Sequence, residues 1–325
     1  MSVPDASAHA AGLRAAALDL CWRQWAAIGA TAAAGTPAVA MVDPEALILC
    51  SLWLAEEERR LPDLLGSWVR LNASLVSIQR LRNLAGRWPA AVRARLASLA
   101  VHATDVAKDS RWKSIAGDAR GAEPLRVREG KVRAIEAPAG RWSALLLQLR
   151  RGMGVGAKAD ILAFVLGVNV HEPRQPQWVS GRTIADAVGY TPASVRRAAE
   201  DLAAARFLRT PDTLAGERSR QRLYAAPTTR WAALLGVSKE ATGWPWWHEQ
   251  FRFVAAAAEW LDGMAGRKVG GYAREVGARD LLVAHAAALQ HAQLLDRGCT
   301  EGAEPGWELL LHVIEQLRAR FAESG

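Results

Sequence analysis

Cys21, Cys50 and Cys299 are the only three cysteines in a chain of 325 residues. They are odd in number and far apart, so their spacing supplies neither a zinc set nor a disulfide framework, and they read as core or incidental thiols in a reducing compartment. Long hydrophobic runs are also missing: no stretch approaches the ~20 apolar residues that a membrane span requires. The opening MSVPDASAHAAGLRAAALDL has no basic start followed by an uninterrupted apolar run, as a signal peptide would. The expectation is a cytoplasmic protein that makes no membrane contact. Catalytic signatures are missing too, since GxSxG, HExxH, Walker A and the kinase set do not occur, and adjacent carboxylates such as Glu200 and Asp201 diverge on a helix. Gly152, Gly154 and Gly156 precede a helix, but no strand leads into them and the GK[ST] ending is lacking. No enzyme, no metal site and no cofactor is expected.

What is present is a globular composition, with 50% hydrophobic and 23% charged residues, in a chain long enough for two or three domains. The formal charge of +8 is unevenly placed. Residues 141–230 hold 14 Lys and Arg against 7 Asp and Glu, residues 1–140 hold 18 against 14, and residues 231–325 hold 9 against 12. A cationic centre between less basic flanks is the footprint of a module that binds a polyanion.

The densest information lies between Gln177 and Ala226. Thr183 opens a short helix with Ile184, Ala185 and Val188 on its apolar side, and Gly189 follows where the chain must reverse without a Cβ clash. Thr191 is placed to cap the next helix, and Pro192 sits at its first position, where a missing N–H costs nothing. In that second helix Val195, Ala199, Leu202 and Ala203 share one face, continuing to Phe207, while Ala193, Ser194, Arg196, Arg197 and Glu200 face elsewhere. FLRT and RQRLYAA then alternate as two strands around the polar loop PDTLAGERS. Arg218, Arg220 and Arg222 recur at every second residue, so an extended ribbon would carry them on one side.

The run TIADAVGYTPASVRRAAEDLAAARFL resembles the winged helix-turn-helix domains of bacterial MarR-, ArsR- and GntR-type regulators. The resemblance spans about fifty residues and implies a DNA-binding fold whose second helix reads the major groove. It implies Ser194, Arg196 and Arg197 on base edges, with Thr191 and Arg182 on phosphate. Thr183 and Ala193 complete the helical set, and Arg218, Arg220 and Arg222 in the wing would meet backbone or minor groove. One departure stands out: these domains usually carry glycine where this chain has Arg206, a cost of about 1 kcal/mol or more if that residue is left-handed.

The flanks read as helical. Asp43-Pro44-Glu45 starts a helix that is apolar nearly all round, and Leu75, Ile78, Leu81 and Leu84 form a stripe with Arg80 and Arg82 off it. The expected fold is mainly α, a central winged helix-turn-helix with a small β wing between helical domains. Its boundaries fall at 1–116, a linker or hairpin at 117–140, the winged unit at 141–226 and a C-terminal unit at 227–325. Trp244, Trp246, Trp247, Phe251, Phe253 and Trp260 suit a bundle core better than a ligand pocket or an interface. The stripe of Leu309, Leu310, Val313, Ile314 and Leu317 suits either intramolecular packing or a homodimer contact. Duplex DNA is thus the leading partner, bound by a homodimeric transcriptional regulator, a repressor. The competing expectation is an antitoxin or adaptor whose helical domains hold a partner protein such as a toxin or defence enzyme, since winged helices also serve as protein contacts; the chain also resembles bacterial proteins that accompany nucleotidyltransferase-like toxins.

Overall fold

The computed structural model describes residues 4–30, 36–117, 125, 127–128, 135–170, 176–211, 222–237, 243–265, 270–296 and 305–324. Six helices form the N-terminal part: α1 (Pro4–Ala27), α2 (Pro44–Trp53), α3 (Arg60–Asn72), α4 (Ile78–Ala85), α5 (Ala90–Val106) and the single turn α6 (Lys113–Ala116). The start of α2 follows from its first residues. Asp43 is extended (φ −98°, ψ 102°) and its carboxylate accepts the Ala46 amide at 3.1 Å, while Pro44 supplies a preset φ. Residues Pro44 to Leu52 are all buried. A helix apolar on every side must be surrounded, and α1, α3, α4, α5 and the C-terminal helix α12 (Trp247–Ala265) do so.

That last neighbour decides the architecture. Residues 1–116 and 227–325 are expected from sequence as separate units, yet their buried side chains lie in one cluster. Leu20 and Trp25 of α1, Leu47 and Leu49 of α2, Phe251, Val254 and Leu261 of α12, and Leu310, Val313, Ile314 and Leu317 of α15 (Gly306–Glu323) all belong to it. The α15 stripe is therefore spent within the chain, where α15 packs on α1 and on α13 (Gly271–Ala284). Within the same core Cys21 and Cys50 approach to 3.5 Å as free thiols.

A second cluster holds α7 (Leu145–Met153), α8 (Ala157–Val168), α9 (Gly181–Val188) and α10 (Pro192–Ala204), with Met41 and Trp246 reaching in from the flanks. Val179–Ser180 (β1) pairs antiparallel with Leu223–Tyr224 (β2), and Arg209 bridges Ala225; these form the only sheet among the described residues. The short α11 (Thr228–Leu235) follows, and α14 (Ala286–His291) continues from α13. The aromatic run divides between the cores: Trp247, Phe251 and Phe253 are buried in the first, while Trp244 and Trp246 meet Phe164 of α8 edge-on at 5.4 and 5.8 Å.

The chain is mainly helical, and no helix among the described residues is long and apolar enough to cross a membrane. The expected linker 117–140 lies largely outside the described residues. Its described parts dock on the N-terminal helices, with the Arg128 amide donating to Asp63 Oδ1 at 2.8 Å and the Ile135 amide to the Gly29 carbonyl at 2.8 Å.

Candidate nucleic-acid interface

The helix α9 begins two residues before Thr183. Ser180 is its cap, taking the Thr183 amide at 3.1 Å and meeting the Thr183 hydroxyl at 2.9 Å. The Thr183 side chain is thus part of a local capping pair, which corrects its expected place as the opening residue. Gly189 ends α9 in the left-handed region (φ 69°), and its amide closes on the Ala185 carbonyl at 3.0 Å. Thr191 caps α10 as its sequence requires: it is extended (φ −65°, ψ 146°) and accepts the Ser194 amide at 3.3 Å, with Pro192 at the first helical position. The Thr191 hydroxyl also donates to Ser194 Oγ at 2.9 Å, so these two expected DNA contacts hold each other.

Val195, Ala198, Ala199 and Leu202 point into the second core, packed against α8 and α9. Ala193, Arg196 and Arg197 are exposed on the opposite side and Ser194 is half-buried beside them. Neither Arg196 nor Arg197 has a hydrogen bond or ion pair among the described residues. Arg182, 87% exposed, stands at the start of α9 with Asp186 4.0 Å away. The apolar face ends differently from expectation, because Phe207 is 39% exposed and rests edge-on against Trp231 of α11 at 5.2 Å. Arg206 adopts φ 60°, the left-handed conformation anticipated for the residue after this helix, without being glycine.

The expected wing is described in part. Arg209 and Ala225 exchange backbone hydrogen bonds of 2.7 and 3.0 Å as a single antiparallel bridge, but the expected FLRT strand does not form, and Leu223–Tyr224 pairs with Val179–Ser180 instead. Arg218 and Arg220 lie outside the described residues. Arg222 is described, and its guanidinium bonds the Glu200 carboxylate at 2.6 Å, tying β2 to α10. Lys158 at the start of α8 pairs with Asp201 at 2.8 Å.

What fixes the turn between α9 and α10 is a buried charge network that periodicity does not announce. Arg80, off the apolar stripe of α4 and so expected in solvent, is 1% exposed. It donates to Asp43 at 2.6 and 2.5 Å, to Glu45 at 2.6 Å and, through Nε, to the Val188 carbonyl at 2.6 Å. Arg150 of α7 grips the other side of Glu45 at 2.6 and 2.9 Å and Asp160 of α8 at 2.7 Å twice. The Tyr190 hydroxyl closes the circuit, donating to Asp160 at 3.1 Å and lying 2.8 Å from Ser77 Oγ. Burial by itself would raise the Asp43 pKa, but the Arg80 guanidinium outweighs it and holds the carboxyl at about 2. Burial likewise opposes the charge on both arginines, and their carboxylate partners more than reverse it. Burial and the Asp160 carboxylate push the Tyr190 phenol upward, so it stays a donor. Every member is paired, the condition under which buried charges hold a geometry. The one sequence signal was Asp43 itself, legible as a cap but not as an arginine's partner.

No group of three or more His, Cys, Asp or Glu placed to hold a metal ion occurs among the described residues. No family model, curated protein or solved structure matches this chain.

Proposed function

We propose that this protein is a winged helix-turn-helix protein that binds duplex DNA in a sequence-specific way, acting as a transcriptional regulator. The reading rests on one observation above all: α10 presents Arg196 and Arg197 to solvent near its capped start, with no partner among the described residues, while its other side is buried. Arginine pairs two donors with guanine O6 and N7, and a helix N-terminus is the part that reaches base edges in such folds. The +7 charge of residues 141–230 supports attraction to a polyanion. Arg182 and Arg209 are further exposed cations of the same segment. As a two-fold dimer the protein would prefer half-sites about 10 bp apart. Selection from random duplex DNA is the test: the wild type enriches one sequence, and the Arg196→Ala/Arg197→Ala variant enriches none. Equal enrichment by both would remove the proposed role of α10.

A second reading, an adaptor that holds a partner protein, is favoured by α13. Tyr272, Val276 and Val283 are 85%, 40% and 55% exposed on that helix, a larger apolar display than a solvated face needs. Salt separates the two readings, since phosphate contacts weaken steeply as salt rises and an apolar interface does not.

A further inference from the structure

Beside the start of α10, the end of α4 and helices α9, α12, α13 and α14 enclose a cleft of about 620 Å³. Three guanidinium groups from three parts of the chain line it: Arg87 after α4, Arg182 on α9 and Arg252 on α12. Two carboxylates answer them. Glu249 is shared, at 2.7 Å from Arg252, 3.4 Å from Arg87 and 3.6 Å from His248 Nε2, and Asp186 is 4.0 Å from Arg182. The balance of fixed charge is therefore positive, and both carboxylates are already engaged.

The cleft wall also holds polar nitrogens with nothing to bond. His248 and His285 are 5% and 7% exposed, and the Nδ1 atom of each is buried without a hydrogen-bond partner among the described residues. The Nε atom of Arg252 is in the same condition. Arg252 Nε can only donate, and His285 donates in its Nδ1–H tautomer, whereas neutral His248, with Nε2 facing Glu249, keeps Nδ1 as an acceptor. Both rings lie within electrostatic reach of Arg252 and Glu249. Buried groups of this kind are nearly always satisfied, so Arg252 Nε and His285 Nδ1 in one wall favour a ligand that accepts. The matching acceptor is a compact anion with several oxygens, and guanidinium clusters are the usual partners of phosphate. The volume leaves room for a sugar attached to it.

We propose that this cleft seats a phosphate group, with Arg87 and Arg252 neutralising its charge and His285 contributing a donor from the wall. Thr191 and Pro192 form part of the same lining, so an occupied seat lies against the first turn of α10. The seat does not depend on the reading of Arg196 and Arg197; only its connection to DNA rests on that reading. The phosphate belongs either to a nucleic-acid backbone or to a free phosphate compound.

The test is a titration of the full chain with inorganic phosphate, against chloride at matched ionic strength, following the imidazole C2–H resonances of His248 and His285 by NMR. Saturable shifts are expected in the wild type and in the Arg196→Ala/Arg197→Ala variant, and at least a tenfold weaker response in Arg87→Gln/Arg252→Gln. Wild-type resonances that move no more with phosphate than with chloride overturn the proposal, as does an undiminished response in a folded Arg87→Gln/Arg252→Gln chain. A second arm identifies the source by measuring the salt dependence of binding to random-sequence duplex. A slope shallower by about 1 to 2 in that variant assigns the seat to the DNA backbone; an unchanged slope with phosphate shifts intact in the wild type assigns it to a free phosphate compound. Loss of duplex binding by the Arg196→Ala/Arg197→Ala variant with its phosphate shifts retained separates the two proposals.

Discussion

The Nε of Arg80 donates to the main-chain carbonyl of Val188 at 2.6 Å, across 108 residues of sequence. Val188 is the last residue of α9, where carbonyls lack partners within the helix and the macrodipole favours a cation. The same guanidinium is held by Asp43 and Glu45, so the N-terminal bundle grips the turn that aims α10.

Removing Arg80 leaves two buried carboxylates short of a counter-charge. Arg80→Ala is expected to cost about 3 to 5 kcal/mol of stability, measured by urea unfolding, with an unchanged m-value. A loss below about 1 kcal/mol would mean that water replaces the guanidinium without penalty and that the network does not fix the turn.

Opposite outcomes are expected at the two left-handed positions that bracket α10. Gly189→Ala places a Cβ at φ 69° and 3.1 Å from Leu84 Cδ2, and should destabilise by about 1 to 2 kcal/mol. Arg206→Gly removes a side chain from φ 60° and should stabilise by up to about 1 kcal/mol. Thermal unfolding of both variants checks the pair; a loss of stability in Arg206→Gly would show that its side chain contributes more than its backbone strain costs.

Acid should destabilise the fold in a window set by histidine. Burial lowers His248 and His285 from 6.5 to about 4. Unfolded imidazoles therefore take up protons first, and the histidine contribution to stability falls as the pH drops from about 6.5 towards 4, below which it changes no further. Each contributes at most about 3 kcal/mol, and less when both charge together beside Arg252. Asp43, held at about 2, contributes stability above its ordinary 3.8 that disappears only below that pH, so it leaves the histidine window untouched. The His248→Gln/His285→Gln variant should flatten the profile of urea midpoint against pH between 6.5 and 4; a profile of unchanged steepness would assign the slope elsewhere.

DNA affinity should divide by residue. Arg196→Ala is expected to lose about 1 to 3 kcal/mol at one base pair of the selected site and little elsewhere, whereas Arg220→Ala weakens all sequences alike. Arg222→Ala should matter less than either, because its guanidinium is already bonded to Glu200 at 2.6 Å. Fluorescence anisotropy against single-base variants of the selected duplex distinguishes these patterns, and a base-specific loss in Arg220→Ala would reverse the assignment.

Local signals were legible wherever the cause is local. The Asp43 and Thr191 caps, Pro192 at a helix start and the left-handed Gly189 each depend on a few adjacent residues. So does the buried stripe of α10, which follows from 3.6-residue periodicity. The start of α9 was misplaced because Ser180 and Thr183 are both capping residues, and only the geometry shows that they cap together.

The candidate seat was not legible for the opposite reason. His248, His285 and His291 fall at spacings that no single helix face unites, and their cleft exists only because α12, α13 and α14 fold over the turn at Gly189. Periodicity likewise assigned Arg80 to solvent, since it records which face is apolar and not what another element brings to the polar one.

Sequence alone determined the caps of α2 and α10 and the buried and free faces of α10, since hydrogen bonding and side-chain spacing act over one or two turns. The tertiary structure decided that the two ends of the chain share one core, that Arg80 and Arg150 are interior, and that a cleft opens beside α10. Burial and long-range charge pairing depend on which distant surfaces meet, and that meeting is a property of the whole chain.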